Sequence, residues 1–163
     1  MSATIISLEL PASFQYLNVL GACIGAMLEH VSGHSDTALL IYNVQTAAQE
    51  LATNIVAHSF QDSTGRFVAQ LALDAERDCF VVETRDAGSA FDPLQDERAE
   101  WRVQENTVPP VYELVSAPEV AWDAENGRGL FLMRALMDVV TFQFVAGENC
   151  WRMEKSLSGR GAE

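Results

Sequence analysis

Glu50, Asn54 and His58 are spaced by four residues in a stretch that is otherwise largely apolar. On an α-helix each four-residue step turns by about 40°, so the three side chains share one face. Asn is a mediocre helix former, and a polar stripe at this spacing asks for a reason. It is either the wet side of a surface helix or a site. As a site, Glu50 is a candidate general base and Asn54 offers an amide oxygen to a hard cation such as Mg²⁺. His58 then closes the stripe as a hydrogen-bond partner, or merely caps the helix end.

Two further stretches carry chemistry. Asp86-Ala87-Gly88 lies at the end of a β-rich run and is followed by Phe91-Asp92-Pro93. A carboxylate at a strand end, with glycine after it, projects into a cleft while the bare backbone lets a flat ring come close. It can accept a hydrogen bond from an exocyclic amine such as that of adenine; the plainer alternative is a tight Asp/Gly turn. In Gly127-Arg128-Gly129-Leu130-Phe131-Leu132-Met133 two glycines precede a helix, which aims backbone N–H groups and the helix dipole at an anion. This is not a dinucleotide-binding fingerprint, because no third glycine and no βαβ unit accompany it. Nor is it a P-loop, since the chain has a single lysine, Lys155. The lysine, HRD and DFG set of the eukaryotic-type kinases is absent as well.

The elements that must position these residues can be read from periodicity. Thr4 to Leu10 reads as a strand ended by Pro11. Phe14, Leu17, Leu20, Ile24, Met27, Leu28 and Val31 recur at helical steps, with Ser13 as N-cap and Gly33 as stop. A second helix runs from about Asp36 to Ser59, its buried stripe being Leu40, Val44, Ala47, Ala48, Leu51 and Ile55. Arg66 to Leu73 and Cys79 to Asp86 form a hairpin across Asp74 to Asp78. Leu130, Met133, Ala135, Leu136 and Met137 suggest a short helix. Val139 to Ala146 and Cys150 to Leu157, joined by Gly147-Glu148-Asn149, form a closing hairpin. The order β-α-α-ββ-loop-α-ββ predicts an α+β, two-layer sandwich with helices on one face of a mixed, mostly antiparallel sheet. With 163 residues the chain is expected to be one domain, 1–163.

Composition excludes several classes. The net charge is −13, which argues against direct binding to nucleic acid. Three widely spaced cysteines and no CxxC signal neither a disulfide framework nor zinc, and fit a reducing cytoplasm. There is no basic leader and no long apolar run, so neither export nor a membrane span is expected. The acidity is concentrated: from Gln61 to Asn126 there are 15 acidic side chains against five arginines. The proline-containing stretch from about 92 to 126 shows little periodicity and is expected to be a long acidic lid.

Taken together, the three motifs resemble those of the GHKL ATPase superfamily. Glu50 to His58 looks like its N box, Asp86 to Pro93 like its G1 box, and Gly127 to Met133 like its G2 box. The short chain and the GRGLFLM wording resemble the anti-sigma-factor serine kinases of partner-switching systems (RsbW/SpoIIAB-like), over nearly the whole chain. The resemblance implies the Bergerat ATP-binding fold, ATP and Mg²⁺, with Glu50 as catalytic base and Asn54 as the Mg²⁺ ligand. It makes Asp86 the reader of the adenine amine and Gly88 the floor under the purine. His58, Phe91, Gly127, Arg128, Gly129 and Leu130 would complete the nucleotide site. Ala90 stands where the family commonly has a second G1 glycine. Asn149 or Cys150 lies in the region where the family often has Thr.

The activity so implied is an anti-sigma factor and serine/threonine protein kinase. It would phosphorylate an anti-anti-sigma (STAS-type) antagonist and sequester a sigma factor or sigma-like regulator, in the cytoplasm and as a homodimer. Retention of both Glu50 and Asn54 favours an enzyme over the alternative, an ATP-binding module that acts by partner capture without phosphotransfer. The apolar residues of the first helix, with no base nearby, give a second motive for a homodimer.

Overall fold

Alternating burial along the strands builds one sheet with a single apolar face. The structure, a computed structural model, describes residues 3–31, 36–61, 64–95, 97–119 and 128–158. Strands β1 (Thr4–Pro11), β2 (Arg66–Asp74) and β3 (Cys79–Asp86) pair with one another in sequence. β6 (Val139–Val145) and β7 (Glu148–Ser156) form the closing hairpin. The sheet has seven strands in the order β1-β2-β3-β7-β6-β5-β4, and every neighbouring pair is antiparallel. Because side chains alternate across a strand, Phe67, Ala69 and Leu71 of β2, Phe80 and Val82 of β3, and Trp151 and Met153 of β7 all enter the same core. The opposite face is polar, with Arg152 paired to Glu83 and to Glu154 at 2.7 Å. The expected α+β sandwich is the architecture observed.

The helices cover the apolar face. A 3-10 turn at Phe14–Tyr16, capped by Ser13, leads into α1 (Leu17–Leu28). Its residues Leu17, Leu20, Ile24 and Leu28 are buried, whereas Phe14 is 58% exposed. Most of the stripe that suggested a dimer surface is therefore spent on the chain's own core. Helix α2 (Thr37–Asn54) starts at Asp36, whose carboxylate accepts from the Leu39 N–H at 2.9 Å, a cap worth about 1 kcal/mol. A π turn over Ile55–Ser59 prolongs it to the expected end. Gly33, the expected stop of the first helix, lies outside the described residues. Helix α3 (Arg128–Leu136) packs on α2.

The expected lid differs in part from what is found. Within it, β4 (Glu100–Val103) and β5 (Val111–Ser116) form a hairpin that extends the sheet beside β6. Leu114 is buried, and Trp101 and Tyr112 pack against the core. These strands escaped the sequence pattern because they are short and irregularly paired, with a register shift at Glu100/Trp101. The prolines bound the strands instead of interrupting them: Pro93 precedes β4, Pro109 and Pro110 lie between the two, and Pro118 follows β5. Among the described residues of the stretch, those before β4, between β4 and β5, and just after β5 belong to no strand, and residues 120–127 lie outside the described residues.

Candidate active site

The site is assembled where the end of α2 meets the start of α3 and the loop after β3. Glu50 and Asn54 lie on the last turns of α2, and both are half-buried. The Glu50 carboxylate stands 3.8 Å from the Arg128 guanidinium, in the first turn of α3. Arg128 is half exposed, with 51% of its side chain open to solvent, and so can turn toward a ligand. Gly129, the next residue, is buried against Asn54: a Cβ built there would lie 2.8 Å from the Asn54 amide. Glycine is what lets α3 approach the α2 stripe this closely. The polar stripe of α2 is thereby set against the start of α3. The Asn54 amide oxygen can take a hard cation, and the N-terminal end of α3 beside it favours an anion.

His58 sits in the π turn and is exposed. Leu130 is half-buried and packs on the core. Gly127 lies outside the described residues.

On the other side of the α2 end, Asp86 closes β3 and is only 1% exposed. Its Oδ1 accepts from the Gly88 N–H at 3.1 Å and from Asn149 Nδ2 at 2.9 Å. Its Oδ2 is buried and makes no hydrogen bond. Burial pushes the carboxyl pKa above the usual range and Glu148 adds to this, against the opposing pull of Asn149, Gly88 and the nearby Ser59 hydroxyl. A buried acceptor without a donor is costly, and an amine brought to Oδ2 would relieve that cost.

Gly88 has a structural reason besides any contact with a ring. A Cβ there would lie 2.5 Å from the Ser59 carbonyl oxygen, and that same oxygen accepts from the Ser89 N–H at 2.7 Å. The loop is thus laid directly on the π turn. The Phe91 ring is committed elsewhere, to an aromatic cluster with centroids 4.9 Å from Trp151, 5.0 Å from Phe142 and 6.1 Å from Trp101.

The resemblance leaves Asn149 or Cys150 in the region where the family often has Thr, and the structure brings Asn149 to Asp86. Asn149 was assigned to the turn between the last two strands, but the turn is only Ala146-Gly147, both with positive φ (53° and 78°), so β7 begins at Glu148. Asn149 is then the first inward position of β7, directly opposite Asp86, and fully buried. A polar residue in phase with Trp151 and Met153 was the available signal.

Among the described residues no cluster of three or more His, Cys, Asp or Glu side chains could hold a metal ion. Mg²⁺ suits what is present, because that ion takes few protein ligands and completes its shell with water and phosphate oxygens. The Asn54 amide oxygen would suit such a ligand role.

A buried carboxylate ready for an amine, an amide oxygen open to a hard cation and an anion-favouring helix start are the groups a nucleotide site needs. The chain matches the histidine kinase-like ATPase domain over residues 10–155 and belongs to that family. Among similar proteins are those named serine-protein kinase RsbW from Staphylococcus aureus strains JH9, Newman and JH1. Each is 23% identical over 136 residues, spanning 83% of this chain and 77% of the relative.

Proposed function

We propose that the chain is an Mg·ATP-dependent serine/threonine protein kinase and anti-sigma factor of a partner-switching system. Its protein substrate would be an anti-anti-sigma (STAS-type) antagonist, and its second partner a sigma factor or sigma-like regulator. The observation that carries the reading is the contact of Glu50 and Asn54 with Arg128 and Gly129. It places a carboxylate and an amide on one helix against the anion-favouring start of another. The names of the relatives agree with this choice of activity.

Each residue has a task in this reading. The Asp86 Oδ2 accepts from the adenine amine. Asn54 would hold Mg²⁺, which when bound neutralises phosphate charge. Arg128 and the first N–H groups of α3 donate to phosphate oxygens. Glu50 accepts the proton of the acceptor hydroxyl and needs to be released from Arg128 to do so. The protein would act in the cytoplasm and as a homodimer; among the described residues no helix is long and apolar enough to cross a membrane.

The alternative is an ATP-binding module that captures partners without phosphotransfer. One observation favours it: the Glu50 carboxylate faces the Arg128 guanidinium at 3.8 Å, so it is not free to meet an acceptor hydroxyl as it stands.

Incubation of wild type and Glu50→Gln with Mg·ATP and candidate antagonist domains, read by intact mass, separates the readings. A phosphate added by the wild type and slowed by about 10²–10⁴-fold in the variant is expected of the kinase. ATP binding with no added mass on any antagonist supports the capture module.

A further inference from the structure

The Asn149 side chain is the best-satisfied buried polar group in the site, and its bonds connect three separate parts of it. Nδ2 donates to Asp86 Oδ1 at 2.9 Å and to the Ser89 carbonyl at 3.0 Å. Oδ1 accepts from the Phe91 N–H at 2.9 Å. Both donors of the amide are used, and so is its acceptor. Residue types that could stand here do less. Asp lacks the donors, Thr and Ser have a single hydroxyl, and Gln is longer by one bond.

The consequence for Asp86 follows from counting. Oδ1 receives two N–H groups, from Gly88 and Asn149, which fills its lone-pair sites. Oδ2 is left buried and without a partner. The consequence for the loop is equally direct. Phe91 is fixed at its backbone by Asn149 and at its ring by Trp151, two residues further along the same strand. The segment leading to the β4–β5 hairpin is therefore anchored to β7.

We propose that Asn149 is a positioning residue that joins base recognition to the loop leading into the β4–β5 hairpin. By engaging Oδ1 of Asp86 it assigns Oδ2 to the exocyclic amine of the base, and by holding Ser89 and Phe91 it fixes the loop that carries Gly88. The inference rests on the ATP reading of the site and extends it to a residue outside the three motifs.

The test compares Asn149→Asp and Asn149→Ala with the wild type by calorimetry, using ATP and GTP in Mg²⁺, with a heat melt of each protein. In Asn149→Asp two carboxyls face each other within hydrogen-bond distance and one retains its proton to unusually high pH. A shared proton restores the donor to Asp86, so acid should rescue the variant. The wild-type affinity for ATP should exceed that of the variant by at least about tenfold near pH 8, and the ratio should shrink severalfold by about pH 5.5. Other ionisable groups on the elements around Asp86 are Glu148, Cys150 and Arg152 on β7, Glu83 and Arg85 on β3, Arg66 on β2, Asp92 in the following loop and His58 in the π turn. They are common to both proteins and cancel in the ratio. In Asn149→Ala the preference for ATP over GTP should fall by about tenfold, the scale of one hydrogen bond to a charged acceptor.

A ratio that stays constant with pH, or an alanine variant with the wild-type base preference, overturns the proposal. If Asn149→Asp does not fold, the alanine variant decides. If neither folds, Asn149 serves folding and the proposal fails. Wild-type protein that binds no ATP would instead refute the nucleotide reading on which this rests.

Discussion

Gly129→Ala tests the contact on which the proposed site depends. In the interior of a helix, alanine is favoured over glycine by about 1 kcal/mol, so the change taken alone should stabilise α3. Here, however, the new Cβ would lie 2.8 Å from one atom of the Asn54 amide and 3.3 and 3.4 Å from two others. A comfortable contact is about 3.5–4 Å, so the first is too short by roughly 0.7 Å or more. Relieving such an overlap in a packed setting costs about 1–3 kcal/mol. The net effect on stability is then a loss of about 0–2 kcal/mol, or roughly 0–8 °C in Tm for a chain of this size.

Function should suffer more than stability, because the displaced group is Asn54. A misplacement of about 1 Å in a positioning residue can cost on the order of 10²-fold in rate. Thermal melts and initial rates of antagonist phosphorylation read the two effects separately. Gly21→Ala in α1 is the control: a Cβ there meets nothing within 4 Å, so that variant should show only the helix-propensity gain, with Tm higher by about 2–4 °C. If Gly129→Ala behaves like Gly21→Ala, with raised Tm and an unchanged rate, the close approach of α3 to Asn54 plays no part in the reaction.

Asp86→Asn should weaken ATP by at least about tenfold, in line with about 1.5–3 kcal/mol for a hydrogen bond to a charged acceptor. Its effect on stability should run the other way. The folded pKa of Asp86 is raised, so its favourable contribution is present at acid pH and is lost as pH rises through the folded pKa. The stability of wild type relative to Asp86→Asn should accordingly fall as pH rises from below the ordinary carboxylate range. Urea titrations at several pH values would show the trend, and a difference independent of pH would mean that the carboxyl is not strained by burial. In hydrogen exchange, Mg·ATP should protect Arg128 to Leu130 severalfold while leaving β4 and β5 unchanged, since those strands already belong to the sheet. Equal exchange with and without Mg·ATP would exclude the start of α3 as the phosphate contact. Light scattering at micromolar concentration should give twice the 17.9 kDa chain mass. A monomer mass throughout would remove the homodimer, which the burial of Leu17, Leu20, Ile24 and Leu28 already leaves to other surfaces.

The sequence by itself determined the helices and the two long hairpins, and it marked Glu50, Asn54, Asp86, Arg128 and Gly129 as candidate site residues. The reason is local periodicity: a buried stripe at three- and four-residue steps, or alternation along eight or nine residues, is written in adjacent positions. Glu50 and Asn54 interrupt such a stripe, and that made them visible. What only the tertiary structure decided depends on partners far apart in the chain. β4 and β5 are too short to announce themselves and become strands because β6 offers an edge and the core accepts Trp101 and Leu114. Phe91 carries no mark that its ring joins Phe142 and Trp151. The unpaired Oδ2 of Asp86 exists because Asn149, 63 positions away, occupies the other oxygen. That arrangement turns on whether the last hairpin turn has two residues or three. In a strand, a shift by one position moves a side chain to the opposite face.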